Sequence, residues 1–127
     1  TMMGGLGADT MNGGTGQDLA DYSDSGVGVN ASLVTGTGVG GTAEGDTYSG
    51  TDGFIGSAYN DTLTGFDGYN LSGADVYTNL IYGGGGDDLI SGLGGPDSLF
   101  GGTGNDTIYG GSSLAGAEGP NAQFSND

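Results

Sequence analysis

The chain contains no lysine, arginine or histidine. Its 127 residues carry 16 Asp and Glu, so the net charge is -16 and no basic side chain balances any of it. Phosphate recognition needs cationic side chains, so their absence excludes nucleic-acid binding. Cysteine is absent too, which removes disulfides, thiolate metal sites and cysteine nucleophiles together. Without histidine as well, zinc and most transition metals lose their usual ligands. There is no tryptophan and only 33% of residues are hydrophobic, too few for an ordinary globular core. No stretch approaches the roughly 18 apolar residues of a membrane span, and Thr1-Met2-Met3-Gly4 lacks the basic and apolar regions of a signal peptide.

Glycine fills the gap, at 33 residues. Glycine loses the most backbone freedom on ordering, and uncompensated charge repels itself, so this composition alone reads as disorder. A counter-charge must enter on folding. Of the 16 acids, 14 are Asp and only Glu44 and Glu118 are Glu. Short Asp side chains in tight glycine turns suit a hard cation that takes oxygen ligands, and calcium is the remaining candidate.

The acids sit in a repeat of the form glycine-glycine-any-glycine-any-aspartate-any-hydrophobe-any. Gly101 to Tyr109 and Gly4 to Asn12 fill every position, and Gly13 to Asp21 departs only at Ala20, a small core residue. Counting back in nines from Gly101, blocks begin at Gly92, Gly83, Ala74, Gly65 and Gly56. Position six then holds Asp61, Asn70, Asn79, Asp88, Asp97 and Asp106, and position eight holds Leu63, Ser72, Ile81, Ile90, Leu99 and Ile108. The glycine-rich six residues must turn sharply and the last three run extended. In such a triplet only the middle side chain faces inward, so Ile90, Leu99 and Ile108 are expected to stack, with Ser91, Phe100, Thr107 and Tyr109 outside. One triplet cannot bury its hydrophobe alone, which requires a stacked solenoid.

Between Tyr22 and about Asp46 the pattern breaks. Alternation at Val27, Val29, Ala31 and Leu33 predicts an exposed-edge strand or hairpin, followed by a flexible Thr35–Gly41 segment. Asp46-Thr47-Tyr48-Ser49 regains the repeat order, and Gly50 to Ile55 reads as a shortened turn with Phe54 inward. A bulge or loop is expected between Gly65 and Tyr82, where Asp67 and Asp75 either reach a cation or are solvated. One module over 1–127 follows: nonapeptides at 1–21, an elaborated coil at 22–49, the main array at 50–112 and an irregular coil at 113–127.

These residues resemble the RTX family of secreted proteins with hemolysin-type nonapeptides. The resemblance implies an all-β fold, a right-handed parallel β-roll, with several calcium ions in the turns. It implies that position-six carboxylates and glycine-turn carbonyls hold the ions. Carried onto this chain, the ligands are Asp9, Asp18, Asp61, Asn79, Asp88, Asp97, Asp106 and Asp127, with Gly83, Gly85, Gly101 and Thr103 of the turns. Asp88 and Asp106 are expected on one edge, and Asp61, Asn79 and Asp97 on the other. Asn70 and Asn79 depart from Asp, Leu93 from the second glycine, Pro96 from position five, and Ala115 supplies no carboxylate. Type I secretion, export unfolded and folding in calcium-rich surroundings are further implications.

Thr1-Met2-Met3 reads as the strand part of a repeat, with Met2 in the core position. Joined to Thr1, the segment Phe124-Ser125-Asn126-Asp127 gives a phase resembling Tyr59 to Gly65, which suggests one period of a longer array stacked head to tail. The expected partners are therefore copies of itself, as a covalent tandem or a fibre, with no nucleic acid, no membrane span, and contact with a surface or glycan. Thr10, Thr62 and Thr107 make a thin outward row, read as a solvated face rather than an ice-binding one. Asp87 beside Asp88 lacks a pocket, a base and a nucleophile, so no enzyme is expected; Asp88 is read as a ligand and Asp87 as its solvated neighbour. The leading function is a calcium-binding structural unit of an extracellular filament, adhesin or surface layer of a bacterium. The alternative is the repeat region of a secreted protease, lipase or cytolysin.

Overall fold

Extended triplets form directly after the glycine turns, because the turn reverses the chain and the Thr, Leu, Ile and Tyr that follow favour extended backbone. The computed structural model describes residues 1–66, 79–94 and 97–110. Asn70, Pro96, Ala115 and Asp127, the acids Asp67 and Asp75, and the segment 113–127 lie outside the described residues. Among the described residues the protein is all-β, with one 3₁₀ turn at Gly41–Ala43 and no α-helix. The strands are β1 (Thr10–Asn12), β2 (Leu19–Asp21), β3 (Asn30–Ser32), β4 (Thr37–Val39), β5 (Thr47–Ser49), β6 (Gly53–Ile55), β7 (Thr62–Thr64), β8 (Leu80–Gly85), β9 (Leu89–Ser91), β10 (Ser98–Thr103) and β11 (Thr107–Tyr109).

They build a seven-stranded sheet in the order β1-β5-β4-β3-β7-β9-β11 and a four-stranded sheet in the order β10-β8-β6-β2. Pairing is parallel except around β4, which runs antiparallel to both β3 and β5. The middle residue of each triplet points between the sheets. Met11, Ala31, Leu63 and Ile90 from the larger sheet meet Ala20, Phe54, Ile81 and Leu99 from the smaller one in a single buried cluster. Each fully buried Leu, Ile or Phe contributes about 1.5–3 kcal/mol relative to exposure. Ile108 packs against this cluster while remaining partly exposed, and Phe100, Thr107 and Tyr109 face out as expected. Met2 pairs in parallel with Ala20 and packs on the core, as its phase predicts.

Two expectations need correction. The interruption is a hairpin, but it does not lie at an exposed edge: β3 and β4 sit inside the larger sheet, between β5 and β7. Ala31 and Gly38 can face inward there because both are small, and Ala31 is fully buried. The second concerns phase. β7 and β8 begin 18 residues apart, which two nonapeptides would place on one sheet, yet β7 belongs to the seven-stranded sheet and β8 to the four-stranded one.

The outward threonines also differ from the thin row. In register across the larger sheet lie Thr10, Thr47, Thr37, Ser32, Thr64, Ser91 and Tyr109, a hydroxyl on every strand. The hairpin supplies Thr37 and Ser32, which the nonapeptide frame alone does not reach. None of the outward residues of these seven strands is charged, in a chain of net charge -16.

Candidate metal centre

An Asp or Asn stands immediately before every described strand except β3 and β4. Asp9, Asp46, Asp61, Asp88 and Asp106 immediately precede β1, β5, β7, β9 and β11, and Asp18, Asp52, Asn79 and Asp97 precede β2, β6, β8 and β10. Stacking the strands therefore strings these residues along two edges. Among the described residues no three Asp or Glu gather at one point. A cation on these edges must draw on backbone carbonyls as well, which calcium accepts.

On each edge a carboxylate oxygen accepts an amide N–H from the neighbouring level. Asp88 N–H donates to Asp106 Oδ1 at 3.0 Å, Asp61 N–H to Asp88 Oδ1 at 2.8 Å, and Val29 N–H to Asp61 Oδ1 at 2.8 Å. Further along, Asp9 N–H donates to Asp46 Oδ1 at 2.8 Å. On the other edge Asp18 N–H reaches Asp52 Oδ2 at 2.8 Å, and Asn79 N–H reaches Asp97 Oδ1 at 3.0 Å. One oxygen of the carboxylate thus serves the sheet. The second is a different matter: Oδ2 of Asp9, Asp18 and Asp88 is buried and accepts no hydrogen bond from the described residues.

The turn glycines make room for that oxygen. A Cβ at Gly83 would collide with Asp88 Oδ2 and would lie 2.5 Å from the carbonyl oxygen of Gly101. At Gly4 it would lie 2.5 Å from Asp9 Oδ2, and at Gly92 2.5 Å from Asp97 Oδ2. A carboxylate oxygen and a carbonyl oxygen therefore converge on Gly83. Leaving a buried carboxylate oxygen unmatched is costly, and no lysine, arginine or histidine exists to match it. This donor set fits a hard divalent cation. Such an ion would supply positive charge to ligands that are far apart in the unfolded chain, coupling binding to folding.

The sequence-expected residues divide in three ways. Asp88 and Asp106 share an edge, as expected. Asp61 joins them there instead of Asn79 and Asp97, because residues 65–79 connect strands of opposite sheets. Asn79 meets Asp97 through its NH₂ group, at 2.9 Å, and that same group donates to the carbonyls of Phe66 and Gly92. Gly85 and Thr103 are register partners across β8 and β10, with Gly83 and Gly101 in the buried part of those strands. Asp87 is exposed yet accepts Asn105 N–H at 2.9 Å, while its own N–H donates to Asn60 Oδ1 at 2.8 Å. It is a link in an outer ladder at position five, not merely a solvated neighbour.

Other participants escape the repeat pattern. Asp46 and Asp52 are buried on the two edges although their turns are not nonapeptides. Asp46 Oδ2 accepts the Tyr22 hydroxyl at 2.8 Å, and the Tyr22 and Tyr48 hydroxyls lie 2.6 Å apart. Asp61 is satisfied by Ser57, whose N–H reaches Oδ2 at 2.7 Å and whose hydroxyl reaches Oδ1 at 2.8 Å. The signal available in the sequence was Ser57 standing where the repeat has its second glycine.

Burial shapes the acidity of these groups. Asp88 is pushed up to about 7, chiefly by desolvation, opposed by the amide of Asp61 and reinforced by the charges of Asp61, Asp106 and Asp87. Asp61 is raised by desolvation, with the hydrogen bonds from Val29 and Ser57 opposing. Burial, then Tyr48 and Asp46, push the Tyr22 hydroxyl far above the usual tyrosine range, so it remains a donor. Burial likewise lifts Tyr48 to about 12.

The model of the RTX calcium-binding nonapeptide repeat matches four copies in this chain, over residues 1–21, 40–68 and 82–113. These spans cover well over half of it and contain every carboxylate named above that precedes β1, β2, β5, β6, β7, β9, β10 and β11. No curated protein matches the chain. Repeats of this family bind calcium, and here they stand in tandem within one chain. With the orphaned carboxylate oxygens, the glycine cradles and the matched repeats agreeing, the chain belongs to the RTX calcium-binding nonapeptide repeat family.

Proposed function

We propose that the chain is a calcium-folded structural module of a secreted bacterial protein, a right-handed parallel β-roll holding several calcium ions in its turns. One observation carries this reading: Asp9, Asp18 and Asp88 each bury a carboxylate oxygen that no group among the described residues satisfies. Calcium at those positions, with Asp97 and Asp106 and the turn carbonyls of Gly83, Gly85, Gly101 and Thr103, would supply the missing charge. Calorimetric titration tests it. Calcium should bind the wild-type chain at several sites, and no binding at millimolar calcium would end the proposal.

The module's role is structural, as a unit of a filament, adhesin or surface layer whose repeats stack head to tail. The tandem arrangement of four copies supports this, as do β1, β10 and β11, which among the described residues each pair on one side only, while β2 carries the bridge to Met2 on its outer side. No catalytic step is assigned to it, since Asp87 and Asp88 already serve the ladders between levels. Electron microscopy in calcium should reveal fibres with an axial repeat of one module; discrete monomers at all concentrations would favour the repeat region of a secreted enzyme or toxin.

The uncharged hydroxyl face of the seven-stranded sheet is proposed as the contact for a neutral, hydroxyl-rich glycan surface. Rows of Thr and Ser offer both donors and acceptors, and a face free of carboxylates avoids the desolvation cost that the rest of the chain would impose. Co-sedimentation with insoluble neutral polysaccharide should be weakened by Thr47→Glu with Thr64→Glu. Equal sedimentation of that variant would remove the face from consideration.

A further inference from the structure

Asp46, Asp61 and Asp88 occupy equivalent places on one edge, yet they differ in what meets the second carboxylate oxygen. At Asp88 nothing among the described residues meets Oδ2. At Asp46 it is the Tyr22 hydroxyl, at 2.8 Å; at Asp61 it is the N–H of Ser57, at 2.7 Å, with the Ser57 hydroxyl on the other oxygen. Asp46 and Asp61 are both almost fully buried, so each needs such donors. A carboxylate only accepts hydrogen bonds. Tyr22 must therefore donate to Asp46, and the Tyr48 hydroxyl, 2.6 Å away, donates in turn to Tyr22.

We infer that Tyr22 and Ser57 take the place of a calcium ion at Asp46 and Asp61, so that the middle of the chain is organised without calcium while the flanking repeats require it. This rests on the calcium reading above and sharpens it, by dividing one edge into ion-requiring and ion-independent levels. Packing agrees with the division. Tyr22, Tyr48 and Phe54 form a three-ring cluster, with Tyr48 and Phe54 edge-to-face at 5.2 Å and Tyr22 6.5 Å from both. Aromatic contacts of this kind supply stabilisation that the glycine turns lack. Asp61 is accordingly removed from the ligands that the family resemblance implies.

Hydrogen exchange of the full chain, read by mass spectrometry in chelator and in calcium, tests this. In chelator, the amides of Tyr22, Val29 and Thr62 should exchange at least about tenfold more slowly than those of Asp88, Gly92 and Thr107. Calcium should then slow the second group. Uniform exchange in chelator, fast or slow, overturns the inference; failure of calcium to protect the flanks overturns instead the calcium reading on which it rests. Tyr22→Phe keeps the ring packing and removes only the donor. It should abolish the chelator-resistant protection, and adding Asp46→Asn should restore it, because the hydroxyl's partner is the buried charge. Unchanged protection in Tyr22→Phe, or no rescue by Asp46→Asn, contradicts the assignment.

Discussion

The amide of Asp61 donates to Oδ1 of Asp88 at 2.8 Å, while Oδ2 of Asp88 lies buried with no donor among the described residues. One side chain therefore does two jobs, tying adjacent levels together with one oxygen and awaiting positive charge with the other. Asp88→Asn separates them. The variant retains an oxygen for the Asp61 amide but removes the buried charge, so the metal-free chain should hold its structure better and bind calcium less well. Calcium affinity should fall by about tenfold or more, which is ~1.4 kcal/mol. Calorimetric titration reads both site number and affinity, and unchanged binding would exclude Asp88 as a ligand.

Acidity follows from the same burial. The folded, metal-free Asp88 has its pKa raised from 3.8 to about 7, and Asp61 shifts in the same direction. The stability contributed by protonated Asp88 is fully present below about pH 4 and is lost as pH rises through about 7. Calcium requires the ionised form and displaces that proton. For chains whose Asp88 level is already folded without metal, apparent affinity should therefore be about tenfold weaker at pH 6 than at pH 8. Titrations in two buffers of different ionisation heat should reveal proton release near pH 6; a flat affinity between pH 6 and 8 would contradict this.

Leu93 is the non-glycine residue with positive φ among those described, at 69°. It stands where the repeat has its second glycine, and a left-handed backbone costs a residue with a Cβ roughly 1–2 kcal/mol. Leu93→Gly should stabilise the calcium-loaded chain by about 1 kcal/mol, read as a higher thermal midpoint. A lower midpoint would mean that the leucine side chain contributes packing worth more than the strain.

The core offers a graded comparison. Leu99 is fully buried between the sheets, whereas Ile108 on the outer strand β11 is only partly buried. Leu99→Ala should cost about 2–5 kcal/mol in calcium, and Ile108→Ala distinctly less. Denaturant unfolding of the two variants at saturating calcium checks the ranking.

Much of this was legible in the repeat. Position six names Asp9, Asp18, Asp88, Asp97 and Asp106 at strand starts, and position eight names Leu63, Ile81, Ile90 and Leu99 as core residues. What escaped was any partner that the spacing does not encode. The 18 residues between the starts of β7 and β8 keep phase by count but cross from one sheet to the other, which moved Asp61 to the edge of Asp88. Tyr22 finds Asp46 across 24 positions, a contact that depends on the hairpin tucking into the sheet. Asp52 belongs to a turn of irregular length that no nine-residue frame marks; Asp46 was legible where Asp46–Ser49 regains the repeat order, but its tyrosine partner was not. Position five looks free in the motif, yet Asn60, Asp87 and Asn105 form a ladder there because stacked turns bring their amides and side chains together.

On the proposed reading, calcium completes a fold in which the described residues leave carboxylate oxygens of Asp9, Asp18 and Asp88 buried and unmatched. Circular dichroism during a calcium titration of the chelator-treated chain tests it most directly. The account predicts a partial strand signal in chelator, carried by the middle of the chain, that rises with calcium to a full strand spectrum and reverses when chelator returns. A full strand spectrum in chelator, unchanged by calcium, would contradict it.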